Sequence, residues 1–335
     1  QVRALRLAEP GHGGIEGFLR KALSPPSTRA LANAIDVLRR IAALEHDTEE
    51  LTTLGRHLAA LPMDPRVGKA LVFAVLLGCV EPVLTIVAIL SHRPPFVMPL
   101  HKKNEADAAK RAFACGFKSD HRAVLEAYAG WLQEEGRGRG ADFSFRNFLS
   151  GPALITARDL REQLRSLLVD VDLLPKRGAE RDAVDPNRHG HRWPVVVTAL
   201  CAGLYPNVAR SDVGRGKFKK VKYFAREHGK LEPHPGSVNS SGQGDWEHRW
   251  VVYFDKVKTA TGLFIYDSTE VAPLPLLLFG AGDSRSGRLL RCTPGGSALS
   301  EAEAAAARDE LAQCKVQHSV MAESADRELL GDHIE

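Results

Sequence analysis

LTTLGRHLAALPMDPRVGKALVFAVLLGCVEPVLTIVAILSHRPPF, residues 51–96, decides how this chain folds. Its opening carries Leu54, Leu58 and Leu61 at the spacing of one helix face, and Pro62 and Pro65 then punctuate the chain. From Val67 to Leu90 the sequence is apolar nearly all round, broken only at Gly78 and at Glu81-Pro82. A helix with no polar side has nothing to offer water, so other elements must enclose it. The apolar run Val83 to Leu90 is about half of the roughly 18 to 20 residues a membrane span needs. The stretch therefore predicts buried helices, with Leu84 and Ile86 in the core of an all-helical bundle.

Upstream, Ile15, Phe18, Leu19, Ala22 and Leu23 mark one helix face ended by Pro25-Pro26. Ser27 or Thr28 can cap a second helix with Ala30, Ala34, Val37, Leu38, Ile41 and Leu44 inward and Arg29, Asn33, Asp36, Arg39 and Arg40 outward. With the helix begun at Leu51, these suggest a winged helix or a similar three-helix unit. Downstream, amphipathic segments at Asn104 to Ala114, Asp120 to Gln133 and Ala153 to Leu174 extend the bundle, Ser119-Asp120 capping the second. After Lys176 the composition changes. Arg177 to His191 reads as a linker, and Val221 to Ala225, Trp250 to Val257 and Leu263 to Tyr266 read as strands between turn clusters, which suits a small β-barrel. Beyond about residue 281 the chain is Gly/Ser-rich, then Ala/Glu-rich from Ser300 to Ala312, as an acidic helix flanked by disorder would be.

The 335 residues carry a formal charge of only +4, but unevenly. Pro186 to Lys258 holds 13 Lys/Arg against 6 Asp/Glu, whereas Ala281 to Glu335 holds 6 against 10. A basic block inside a folded region points to a polyanionic partner. Cys79, Cys115, Cys201, Cys292 and Cys314 form no CxxC pair, which argues against a zinc knuckle or a disulfide framework and for a reducing compartment, cytoplasm or nucleus. His189-x-His191 lacks further ligands at metal spacing, so no metal site is expected. No secretory signal precedes the folded part, and Gln1 reads as a cut within a longer protein.

Two long stretches resemble the DEAH-box ATP-dependent RNA helicases. Residues 51–96 resemble that family's helicase-associated region, through LTxLGxxLAxLPxDPxxxKxL and the GCVEPVLTIVAILSHRPPF continuation. Cys201 to Gly280 is similar to its OB-fold, through CAGLYPNVAR, KLEPHPGSVN, WVVYFDKVKT and GLFIYDSTEVAPLPLLLFG, and SDHRAVLEAYAGW and DLREQL between them resemble the ratchet-like bundle. The family's usual residue after the His-Pro dipeptide is Ser or Lys; here it is Gly236. The resemblance implies a multidomain α+β chain: a winged helix over 1–65, a helical ratchet bundle over 66–180, an OB-fold over 181–282, and an acidic, largely disordered tail over 283–335.

No GxxxxGK[ST] loop and no DEAH tetrapeptide is present, so no catalytic residue is assigned and the fragment itself is expected to hold no cofactor. ATP and Mg²⁺ would belong to motor domains acting in cis. RNA contacts are expected first from Gly214 to Tyr223, GRGKFKKVKY, with Lys217, Lys219, Lys220 and Lys222 following phosphates and Phe218 or Tyr223 facing an unstacked base. A plain hairpin tip with its aromatics in the core is the competing reading. His234, Ser237 and Asn239 of the His-Pro motif offer small polar groups to phosphate or ribose, or are simply what turns are made of. Arg158, Arg161 and Arg165 form a ridge along one helix, partly cancelled by Glu162.

The function implied is that of an accessory module gripping single-stranded or structured RNA during 3′-to-5′ translocation by the motor, with no membrane partner. The alternative is a protein-interaction platform that docks an activator or ribosomal partner, RNA contacts being secondary.

Overall fold

The computed structural model describes residues 15–280 apart from 20–21, 46–48, 177–184, 214–220, 226–227, 241–245 and 261. The expectations for the acidic tail and for Lys217, Phe218, Lys219 and Lys220 lie outside the described residues.

Three helices open the chain: α1 (Ile15–Leu19), α2 (Thr28–Arg40) and α3 (Thr53–Ala60). Ser27 caps α2 by accepting the Ala30 N–H, and Thr52 caps α3 by accepting the Gly55 N–H. Leu31, Ile35 and Leu38 are the buried face of α2, one position away from the Ala30 and Ala34 expected inward. The bulkier leucine and isoleucine take the core and leave Ala30 exposed. Leu44 and Leu51 form an antiparallel bridge between α2 and α3 and join the same core.

The decisive apolar stretch forms α4 (Pro65–Leu77) and α5 (Val80–Leu90), and Leu84 and Ile86 are buried as expected. Gly78 separates them in a left-handed conformation, φ 66°, which a side chain would strain. The Arg188 side chain packs where a Cβ would stand, at 2.9 Å. The polar segment before residue 192 is thus no free linker at its end: His189 N–H bonds Gly78 C=O at 2.7 Å, and Asn187 Oδ1 accepts the Glu81 N–H at 3.2 Å.

Around this pair stand α6 (Lys103–Phe113), α7 (Asp120–Glu135), the unanticipated short α8 (Gly140–Arg146) and the long α9 (Gly151–Asp170). Tyr128, Trp131, Leu154 and Ala157 fill their core against Ile89. A second unanticipated helix, α10 (Trp193–Leu204), replaces the expected start of the strand region. It lies flat on α4, because Gly203 lets the backbone come so close that a Cβ would meet the Ala70 Cβ at 2.5 Å.

The barrel follows: β1 (Val208–Val213), β2 (Val221–Ala225), β3 (Gly229–Pro233), β4 (Trp250–Lys258) and β5 (Leu263–Val271), closed in the order β1-β2-β3-β5-β4. All neighbours are antiparallel except β3 and β5, which pair in parallel through Glu232 with Phe264 and Pro233 with Ile265. Closure removes free strand edges. A last helix, α11 (Pro273–Gly280), follows β5. Arg66 ties bundle to barrel: its guanidinium sits over the Phe254 ring at 5.1 Å and donates to Phe254 C=O at 2.9 Å, while Asp64 holds its other edge.

Candidate nucleic-acid interface

Strand residues alternate between faces, so every barrel strand presents an inner and an outer set. On β2, Val221, Tyr223 and Ala225 are buried, Lys222 is exposed and Phe224 is half-buried. Arg210 of β1 and Lys230 of β3 are the direct cross-strand partners of Phe224, so they share its outer face. Lys230 also pairs with Glu232 at 2.9 Å. Continuing outward around the barrel, Phe264 and Tyr266 of β5 are partly exposed between inward Leu263 and Ile265.

The His234 and Tyr266 rings are stacked, with centroids 4.3 Å apart and planes 25° apart. The Gly236 N–H donates to His234 Nδ1 at 3.2 Å, which leaves the proton of a neutral ring on Nε2. Burial holds the His234 pKa below its ordinary value, and the Lys110 and Lys103 charges push it the same way against Asp120. Neutral His234 is therefore a flat ring with one outward-capable donor. At Gly236 a Cβ would stand 3.4 Å from that ring, an ordinary contact, so the space there admits a side chain.

The other half of the His-Pro motif faces inward. Ser237 is 7% exposed and Asn239 is 0% exposed. Ser237 Oγ donates to Asp120 Oδ2 at 2.5 Å, and Val238 N–H donates to Asp120 Oδ1 at 3.0 Å. Asn239 Nδ2 donates to Ser268 Oγ at 2.9 Å and to Lys118 C=O at 3.2 Å. Ser237 and Asn239 thus hold barrel to bundle, where the sequence suggested surface contacts. Ser119 caps α7 as expected, and its hydroxyl also meets Thr269 Oγ1 at 2.6 Å.

Tyr223 is corrected outright. Its side chain is 0% exposed in the barrel core, edge-on to Trp246 with centroids 6.3 Å apart, and burial raises its phenol pKa. No base can reach that ring in this fold. Lys222, by contrast, is on the outer face opposite Asp212. The α9 ridge is also internally engaged: Arg161 and Arg165 both bind the Glu81 carboxylate, and Arg158 lies 3.4 Å from Asp159 and over the Trp131 ring at 6.0 Å. Phe224, Tyr266, Lys103 and Lys110 were not singled out as contacts from the sequence. For Phe224 the signal was there, in the period-2 pattern of VKYFA.

Among the described residues no His, Cys, Asp and Glu are grouped to hold a metal ion, and no helix is long and apolar enough to cross a membrane.

The fold is a helical bundle clamped to a closed five-stranded barrel, and the comparisons with known proteins give its family. Residues 64–124 match the helicase associated domain (HA2), ratchet-like, and residues 196–282 match the oligonucleotide/oligosaccharide-binding (OB)-fold. The chain is 43% identical over 268 residues to the DExH-box ATP-dependent RNA helicase DExH1 of Arabidopsis thaliana, covering 80% of this chain and 26% of the relative. It is 38% identical over 285 residues to the ATP-dependent DNA/RNA helicase DHX36 of Homo sapiens, covering 84% and 27%. It is 34% identical over 283 residues to the human ATP-dependent RNA helicase DHX29, covering 80% and 20%. The chain thus spans about a quarter of the length of the curated relatives it matches. It belongs to the DEAH-box helicase family as a helicase-associated region, a ratchet-like domain followed by an OB-fold.

Proposed function

We propose that this region grips single-stranded RNA for an ATP-dependent motor, with bases stacking on the outer face of the barrel. The carrying observation is the outward series of Phe224 on β2, Phe264 on β5 and the stacked pair of Tyr266 on β5 with His234 just after β3, with Lys222 and Lys230 on the same face. Aromatic faces accept any base, and cations follow the backbone, so such a surface holds a strand with little sequence preference. Lys217, Lys219 and Lys220, between β1 and β2, extend the cationic side of this reading. The names of the relatives, RNA and DNA/RNA helicases, support nucleic acid as the partner. ATP and Mg²⁺ act in motor domains in cis, the three-helix unit serves as the winged helix joining them to the ratchet, and translocation runs 3′ to 5′ in the cytoplasm or nucleus.

The test is anisotropy of unrelated single-stranded RNAs with the whole chain across a salt series. Binding should weaken steeply with salt and similarly for every sequence, and Phe224→Ala should weaken all of them. Salt-independent or absent RNA binding by the folded chain would favour an activator-docking platform.

A further inference from the structure

We infer that Asp120, a residue of the helical bundle, is a positioning residue for the stacking surface: its carboxylate sets the loop bearing His234 against the strand bearing Tyr266. The inference rests on the stacking reading given under the proposed function. Asp120 is 1% exposed and receives donors from three directions. Ser237 Oγ and the Ser268 N–H reach Oδ2 at 2.5 and 3.1 Å; the Val238 N–H and the Lys110 ammonium reach Oδ1 at 3.0 and 2.8 Å. Ser237 follows His234 by one turn of chain, and Ser268 lies just beyond Tyr266. One carboxylate therefore bonds both ring-bearing segments.

Besides the carboxylate, Asn239 Nδ2 joins the same two segments by donating to Ser268 Oγ at 2.9 Å. The parallel β3–β5 ladder has only the Glu232–Phe264 and Pro233–Ile265 pairs, and the His234 N–H adds one bond to Ile265 C=O at 3.0 Å. Between Tyr266 and Ser268, Asp267 takes φ 50°, the left-handed region that asparagine and aspartate tolerate best among side-chain-bearing residues. The β4–β5 register passes from Tyr253–Ser268 to Asp255–Tyr266 across that kink. Lys110 also donates to Gly236 C=O at 2.7 Å, closing the far side of the His234 turn. Buried charge-assisted bonds of this kind are the strong ones, and they place the rings from below without touching the ligand.

The experiment uses the whole chain and a single-stranded oligouridylate carrying a 2-aminopurine, whose fluorescence is quenched on stacking. Asp120→Asn should weaken binding by about tenfold, within the range of one lost base stack, and relieve the quenching while leaving the salt dependence unchanged. In a Tyr266→Ala background the same change should add no further loss, because the ring it positions is gone. A folded Asp120→Asn that binds as the parent does, or that loses as much with Tyr266 removed as with it present, overturns the inference. Should Asp120→Asn not fold, Ser237→Ala carries the same comparison with a smaller loss of about threefold. If Tyr266→Ala alone changes neither affinity nor quenching, the stacking reading itself falls, and the inference with it.

Discussion

The Asp120 carboxylate, at the first turn of α7, accepts the Ser237 hydroxyl of the barrel at 2.5 Å. The hydrophobic cores of bundle and barrel meet there. Ala114 and Ala123 of the bundle pack on Val238 of the barrel loop, and Ser119 bridges Thr269 of β5 in the same seam. A buried carboxylate is costly unless its partners surround it, and the Lys110 ammonium with three protein donors does so. Burial alone would raise the Asp120 pKa; the Lys110 charge and the Ser237 and Val238 hydrogen bonds outweigh it and hold the carboxyl below its ordinary value.

Acid should open this seam through His121. Burial drives the His121 imidazole down from 6.5 to about 4, with Asp120 opposing and Lys110 adding to the shift. The unfolded chain takes up its proton near 6.5 and the folded chain only near 4, so stability is lost as pH falls through that window. The loss amounts to about 3 kcal/mol at 1.36 kcal/mol per pKa unit. Urea denaturation of His121→Gln between pH 7 and 4 should show a flatter stability curve than the parent. A curve parallel to the parent's would show that His121 is not buried neutral.

Lys69 should be a cost the fold carries at neutral pH. It is 5% exposed in the contact between α4 and α10, with the Phe73 ring 5.9 Å from its ammonium. Burial lowers its pKa from 10.5 to about 8, the nearby Cys201 opposing. Between pH 8 and 10.5 the unfolded chain binds the extra proton, so this group's contribution becomes more favourable as pH rises, and its penalty is complete below pH 8. Lys69→Met should therefore stabilise the chain at pH 7 by up to about 3 kcal/mol, and the gain should shrink toward pH 10. Comparing variant with parent cancels the opposite trend of Cys201, whose thiol burial pushes up to about 12. No gain at pH 7 would mean that the ammonium is well solvated.

Tyr223 and Phe224 are neighbours in sequence with opposite fates, and substitution should separate them. Tyr223→Ala empties the barrel core and should cost about 3 to 5 kcal/mol in stability. Phe224→Ala removes a half-exposed ring and should leave most of the melting temperature while weakening RNA binding by about tenfold. The reverse assignment of stability and affinity would place the barrel face elsewhere.

These cases show what the sequence could disclose. The apolar stretch from Val67 to Leu90 had to be enclosed because no face of it suits water, and Leu84 and Ile86 are buried accordingly. The direction of Tyr223 was also legible: Val221 and Ala225 share its side of a strand, so an exposed Lys222 commits Tyr223 to the core. Helix α10 was obscured because WPVVVTALCAGL is as apolar as a buried strand and carries no charge to reveal a helical period. The seam was legible only as a cap. Ser119-Asp120 does begin α7, but that the carboxylate turns to Ser237 and Ser268 depends on contacts more than a hundred residues apart in the chain, which no local pattern encodes.

The segment GRGKFKKVKY should contribute through charge. Lys219 and Lys220 immediately precede β2 in the sequence. If each neutralises one phosphate of a single strand, each adds about 0.7 to the slope of log affinity against log salt. Replacing both by Ala should flatten the slope by roughly 1.4, and the loss should be alike for unrelated RNA sequences, since backbone contacts position a strand without reading its bases. Phe224→Ala should weaken binding with little change in slope, because a stacked ring displaces no counterion. The two kinds of variant therefore report different contacts to one strand, and combining them should give additive losses if phosphate and base are held independently. A double-lysine variant that stays folded and keeps the parent's affinity and slope would show that this segment does not hold RNA, leaving protein docking as the reading for the basic block.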